Sequence, residues 1–147
     1  MVLVHCCAPV DASAATVWSR IGDFAALSAW HPAVTASPLE QDGPADRPGC
    51  VRALSLANGA AIREQLLEHD AAGRLYRYSI VESPLPVEGY TATLQVVSTG
   101  ADSARIDWTA RFQAADADAE GVAKALGEVF ATGLAAVAAE LKGAVAA

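Results

Sequence analysis

Glu64 is the acidic residue whose neighbours most favour chemistry. It lies two residues from both Ile62 and Leu66, so on a β-strand the three share one face. A carboxyl among such side chains loses hydration, which raises its pKa above the usual value of about 4.3. That suits it to act as a general acid or base, or to orient a ligand hydroxyl or amine. A register slip of one residue would send it outward instead, to an ion pair with Arg52 or Arg63. His31, between Trp30 and Pro32, titrates near neutral pH and can shuttle protons, or can cap the end of a short helix. Tyr78 and Tyr90 can each offer a hydroxyl to a ligand oxygen, although buried tyrosines find such partners in ordinary cores as well. Glu64, His31 and Tyr78 are therefore the candidate catalytic residues. Arg52 could meet an anionic ligand group or form an interstrand ion pair, and His5 and His69 fall on strands near charged or edge positions.

The usual catalytic motifs are missing. The chain has no glycine-rich phosphate loop, no His-Glu-x-x-His, no Cys-x-x-Cys and no Gly-x-Ser-x-Gly. No metal and no cofactor is expected. Cys6, Cys7 and Cys50 are an odd number without regular spacing, as expected of free thiols in a reducing compartment. Cys6 and Cys7 would point to opposite faces of one strand.

The elements that must position these residues follow from periodicity. Residues 2–10 read as a strand, closed by Pro9 and Asp11. Ser13 N-caps a helix over 14–21, in which Val17, Trp18 and Ile21 share a face, with Trp18 packing it onto the sheet. Residues 24–30 form a second short helix, stopped by Pro32. Strands follow over 34–40, 50–57, 62–69, 75–82, 90–97 and 105–112, separated by turns of which Asn58-Gly59 is the strongest hairpin signal. In the last of them Ile106, Trp108, Ala110 and Phe112 alternate with Arg105, Asp107, Thr109 and Arg111. Residues 118–145 are helical, with Val122, Leu126, Val129, Phe130, Leu134, Val137, Leu141 and Val145 on one side. About 28 residues span about 42 Å at 1.5 Å each, enough to cross a whole sheet.

These elements predict an α+β fold: seven antiparallel strands curled around one long C-terminal helix, with two short helices after the first strand, in a single domain of 147 residues. Such a sheet need not close completely over its helix. The hollow would be lined by Trp30, Leu54, Leu56, Ile62, Leu66, Ile80, Tyr90, Ala92, Trp108, Phe112, Phe130 and Leu134. The formal charge of −7, with only 10 Lys and Arg, excludes a nucleic-acid partner on electrostatic grounds. No uninterrupted apolar run reaches the ~18 residues of a membrane span, and no secretory signal is visible, so a cytoplasmic location is expected. A homodimer stays open.

Several segments in this order resemble the START-like helix-grip superfamily, also called SRPBCC. They are Val10-Asp11-Ala12 with Val17-Trp18, Phe24 through Trp30-His31-Pro32, Gly49-Cys50-Val51-Arg52, Glu64 through Asp70, Tyr78-Ser79-Ile80, and Leu85-Pro86 before Tyr90. The polyketide cyclase/dehydrase type is the nearest in pattern. A more distant similarity reaches the plant abscisic-acid receptors, in which Glu64 would match a pocket carboxylate and Tyr90 the tyrosine beyond a latch. Asn58-Gly59-Ala60-Ala61 would stand at a shortened gate, and Trp30 replaces the lysine that holds the hormone. The resemblance implies a cavity for a small apolar molecule of aromatic, polyketide-like or lipid-like character. The alternative is a cofactor-independent cyclase, dehydratase or aldol-type enzyme using Glu64.

Overall fold

Alternation in the sequence becomes seven strands in one antiparallel sheet. The computed structural model describes residues 1–142. β1 (Val2–Val10) is followed by α1 (Ala14–Ile21), a single 3-10 turn (Phe24–Ala26) and α2 (Leu27–Trp30). Then come β2 (Val34–Ala36), β3 (Val51–Leu56), β4 (Ala61–Asp70), β5 (Leu75–Glu82), β6 (Glu88–Gly100), β7 (Ser103–Gln113) and α3 (Asp116–Leu141). The strand order is β1-β7-β6-β5-β4-β3-β2, so β1 and β2 form the two edges. α3 lies across the concave face and packs most extensively on β1.

Local chemistry accounts for the boundaries. Ser13 caps α1 by accepting a hydrogen bond from the Thr16 amide. Asp23 does the same for the 3-10 turn, accepting from Ala25 N, so the expected second helix is split in two at Leu27. Gly59 takes φ +90° in the Asn58–Gly59 turn, a left-handed conformation that favours glycine, while Asn58 Oδ1 accepts from Ala60 N.

Two strands differ from expectation. β2 ends at Ala36 rather than residue 40, because Ser37 turns inward and donates to Ala25 O (2.8 Å) while accepting from Ser28 N. Pro38 follows and has no N–H for the ladder. β6 runs longer, since β7 pairs with it from Glu88↔Gln113 to Gly100↔Ser103.

The core fills most of the space under α3. Val122, Leu126, Phe130, Leu134, Val137 and Leu141 are buried there. The expected Val145 lies outside the described residues. By length and composition α3 is apolar enough to cross a membrane. Its large apolar side chains face the sheet, however, and its outward apolar residues are alanines such as Ala117, Ala131, Ala135 and Ala139. Asp116 and Asp118 occupy its first turn, where they complement the positive end of the helix dipole.

Candidate functional site

A hollow of about 210 Å³ opens between the sheet and α3. Its floor is built by Leu54 and Leu56 of β3, Ile62 of β4, Tyr78 of β5 and Trp108 of β7, and its roof by Ala125, Leu126, Val129 and Phe130 of α3. Leu27, His31 and Val34 close one side. At the mouth stand Asn58 and Ala60 of the β3–β4 hairpin, facing Pro84 and Leu85 of the β5–β6 connection. The walls are apolar because each strand contributes its inward phase.

His31 borders this space but has both nitrogens engaged. Nε2 lies 2.7 Å from Val129 O and donates to it, while Nδ1 accepts from Ala33 N at 3.1 Å. This arrangement requires the neutral ring. Burial lowers the His31 pKa below 6.5 and the charge of Arg52 adds to that, while the bond to Val129 opposes it. The close approach to α3 depends on Gly133, where an added Cβ would sit 2.8 Å from Nε2 and closer still to Cδ2.

Tyr78 borders the hollow and, through its ring, also a buried polar cluster. Its hydroxyl accepts from Trp108 Nε1 at 3.0 Å, and Trp108 in turn stacks on Phe130 at 4.3 Å. Burial, with Tyr90 nearby, holds the Tyr78 phenol well above its ordinary pKa of 10, so the group stays protonated. On the far side of Tyr78 lies the fully buried Arg52, its guanidinium 4.7 Å from the Tyr78 ring centroid and 4.1 Å from that of Phe24. Arg52 Nε (2.8 Å) and Nη2 (2.7 Å) both approach Glu64 Oε1, and Nη1 donates to Phe24 O and Tyr76 OH.

Glu64 thus points inward, in phase with Ile62 and Leu66, but its carboxylate is directed to Arg52 and does not line the hollow. Burial raises its pKa and Arg52 pulls it part of the way back. For Arg52, burial opposes the charge, and Glu64, Tyr76 and Tyr78 outweigh that to keep it ionised. The ion pair expected between Glu64 and Arg52 forms, but inside the protein rather than outward. Arg63 faces solvent and pairs with Glu40 and Glu82.

Of the expected lining residues, Leu54, Leu56, Ile62, Trp108 and Phe130 border the hollow, together with His31 and Tyr78. Trp30, Leu66, Ala92, Phe112 and Leu134 are buried in the core, and Tyr90, stacked on Phe112 at 6.0 Å, is buried but borders a separate depression beside Leu85 and Val87. Ile80 is half-buried and packs against the core beyond the hollow. The interior fills there because Tyr78, Tyr90 and Phe112 occupy it. Asn58, Ala60, Pro84 and Leu85 lie in the segments that the resemblance sets at the gate and the latch, whereas Leu27, Val34, Ala125, Leu126 and Val129 join the lining beyond the expected set. The Asn-Gly turn and the Pro-Leu-Pro segment marked the two mouth loops in the sequence, yet nothing local showed that they face each other. No cluster of metal-binding side chains occurs among the described residues.

A curved antiparallel sheet gripping its C-terminal helix over an apolar hollow is the helix-grip architecture. Residues 2–142 match the family described as polyketide cyclase / dehydrase and lipid transport, and the chain belongs to that family. No curated protein matches it. Among solved structures, a Thermobifida fusca protein is 32% identical over 94% of this chain and 91% of its own, with a TM-score of 0.87. The protein XoxI from Bacillus cereus is 27% identical over 96% of both chains, TM-score 0.87. The Zhui aromatase/cyclase from Streptomyces sp. R1128, 18% identical over 97% of this chain and 94% of its own, shares the fold with a TM-score of 0.81.

Proposed function

We propose that this protein binds one small, largely apolar molecule, of about the size of a single substituted aromatic ring or a short acyl chain, in the hollow between sheet and α3. The observation that carries this reading is the state of the polar groups around the hollow. His31 has both nitrogens bonded, Tyr78 serves Trp108, and Asn58 Oδ1 accepts from Ala60 N. No side chain lining the space has a free basic atom poised for proton transfer, which favours binding over cyclase or dehydratase chemistry. Glu64, the residue such chemistry would need, is held by Arg52 behind Tyr78.

Size limits the ligand. An apolar cavity of about 150 Å³ accepts benzene, whereas sites for larger ligands span about 300–1,000 Å³. A hollow of about 210 Å³ takes one ring with a short substituent. A folded multi-ring polyketide would need the two mouth loops to part. Burying about 150 Å² of ligand surface contributes about 4 kcal/mol, so a dissociation constant of about 1 mM is expected.

Calorimetric titration with one-, two- and three-ring aromatic compounds tests this. One-ring compounds should bind with 1:1 stoichiometry and a negative heat-capacity change. Tighter binding of three-ring compounds, or no binding by any, would contradict it.

A further inference from the structure

The opposite face of the sheet carries a feature that the hollow does not explain. Inward Ala92 and Leu94 of β6 alternate with outward Thr91 and Thr93, and Thr93 pairs across with Thr109 of β7. Arg77 of β5 is the cross-strand partner of Thr93 on one side, and Arg111 of β7 is the partner of Thr91 on the other. The two arginines therefore flank β6 diagonally, from strands about 9–10 Å apart and two residues along the strand, so that their backbones are about 12 Å apart and both long side chains can reach the space between. Between them lies a depression of about 610 Å³ whose lining contains these five residues, Met1 and Gly89, and no carboxylate.

The charge pattern is local and opposes the whole. The protein carries a formal charge of −7, which repels anions at long range. Along β7, Arg105 is neutralised by Asp107 at 3.1 Å, but Arg111 has no carboxylate partner among the described residues. Arg77 reaches Glu68 only at 3.3 Å, in a pair that is nearly half exposed and so holds it weakly, and its Nε points to Thr93 Oγ1 at 3.4 Å. Two guanidinium forks and three hydroxyls facing one depression match a group with several acceptor oxygens and more than one negative charge.

We propose that this outer face, centred on Arg77 and Arg111 astride Thr91, Thr93 and Thr109, is a second binding site, for a small soluble molecule carrying phosphate groups. It is separated from the apolar hollow by the thickness of the sheet, so the two sites can be tested independently.

The test is an NMR titration of the ¹⁵N-labelled protein with pyrophosphate, with ionic strength held constant by potassium chloride. Saturable shifts are expected at the amides of Thr91, Thr93 and Thr109 and at the Nε–H groups of Arg77 and Arg111. Arg77→Gln and Arg111→Gln should each weaken binding at least fivefold, and Arg111→Lys, which keeps the charge but not the fork, should fall between. Both arginines are exposed, and an unchanged thermal midpoint will confirm that the variants remain folded. Shifts that chloride alone reproduces, shifts of equal size around Arg47 and Arg74, or attachment to phosphatidylglycerol vesicles without pyrophosphate binding would each overturn the proposal.

Discussion

Arg52 and Glu64 face each other across β3 and β4 as register partners, and both side chains turn into the protein, where Arg52 Nε and Nη2 converge on the single oxygen Oε1. An ion pair inside a sheet is stable only while both members are present, because each alone would be an uncompensated buried charge. The rings of Phe24 and Tyr78 both lie against the guanidinium, on adjacent sides, and add to its retention.

Glu64→Gln should therefore destabilise the protein by about 3–5 kcal/mol, whereas the double variant Arg52→Met/Glu64→Leu should regain most of that loss. Urea denaturation checks both. A cost below about 1 kcal/mol for Glu64→Gln would mean that the pair is solvated. In whatever fraction remains folded, affinity of the hollow for its ligand should change only a few fold, since the carboxylate lies behind Tyr78.

His31 gives stability a pH dependence of known sign. Its folded pKa lies below 6.5, so the unfolded chain binds the proton more readily. The contribution of neutral His31 is complete above about pH 6.5 and is lost as pH falls through the lower folded value. Glu64, whose pKa burial raises above its ordinary value, acts in the opposite direction, its contribution falling as pH rises above that ordinary value. Subtracting the stability–pH curve of His31→Asn from that of the wild type isolates the histidine. The difference should shrink as pH drops from 7 to 5, and a difference that is flat or grows would contradict the neutral, doubly bonded ring.

Gly133→Ala reverses an ordinary rule. Alanine normally stabilises a helix interior by about 1 kcal/mol over glycine. Here the added methyl meets the His31 ring, and a net loss of about 1–3 kcal/mol is expected. Gly121→Ala, in the same helix with nothing within 4 Å of the new Cβ, should stabilise instead. Thermal midpoints that shift the same way in both variants would show that His31 does not need that gap.

Tyr78→Phe leaves Trp108 Nε1 without its acceptor in a buried site, which costs about 1–3 kcal/mol. The accompanying loss of near-ultraviolet ellipticity from Trp108 distinguishes this structural role from a purely chemical one. Unchanged stability would free the hydroxyl for other duties.

Much of this architecture was legible because period-2 alternation is a local property. The phases of β5 and β7 place Tyr78 and Trp108 inward without any tertiary knowledge, and Ser13 announces α1 through its own side chain. Glu64 was also in the right phase. Arg52 was legible as an ion-pair partner, but the burial of the pair was not, because charge in a strand is ordinarily assigned to solvent. The His31–Val129 bond joins residues 98 positions apart, and Gly133 reads as a poor helix residue until the histidine beside it is known. β2 stops early for a similar reason, since Ser37 bonds to residues of the preceding helical segment rather than continuing its strand.

Everything proposed for the concave side depends on an accessible apolar space at Ile62. NMR titration of wild type and Ile62→Trp with p-cresol is the sharpest measurement, because the larger side chain fills the hollow from its floor. The expected result is saturable shifts at Leu54, Leu126 and Phe130 in the wild type, all lost in a variant that keeps its fold. Equal binding by both proteins, or shifts confined to residues outside the hollow, would contradict a ligand held between the sheet and α3.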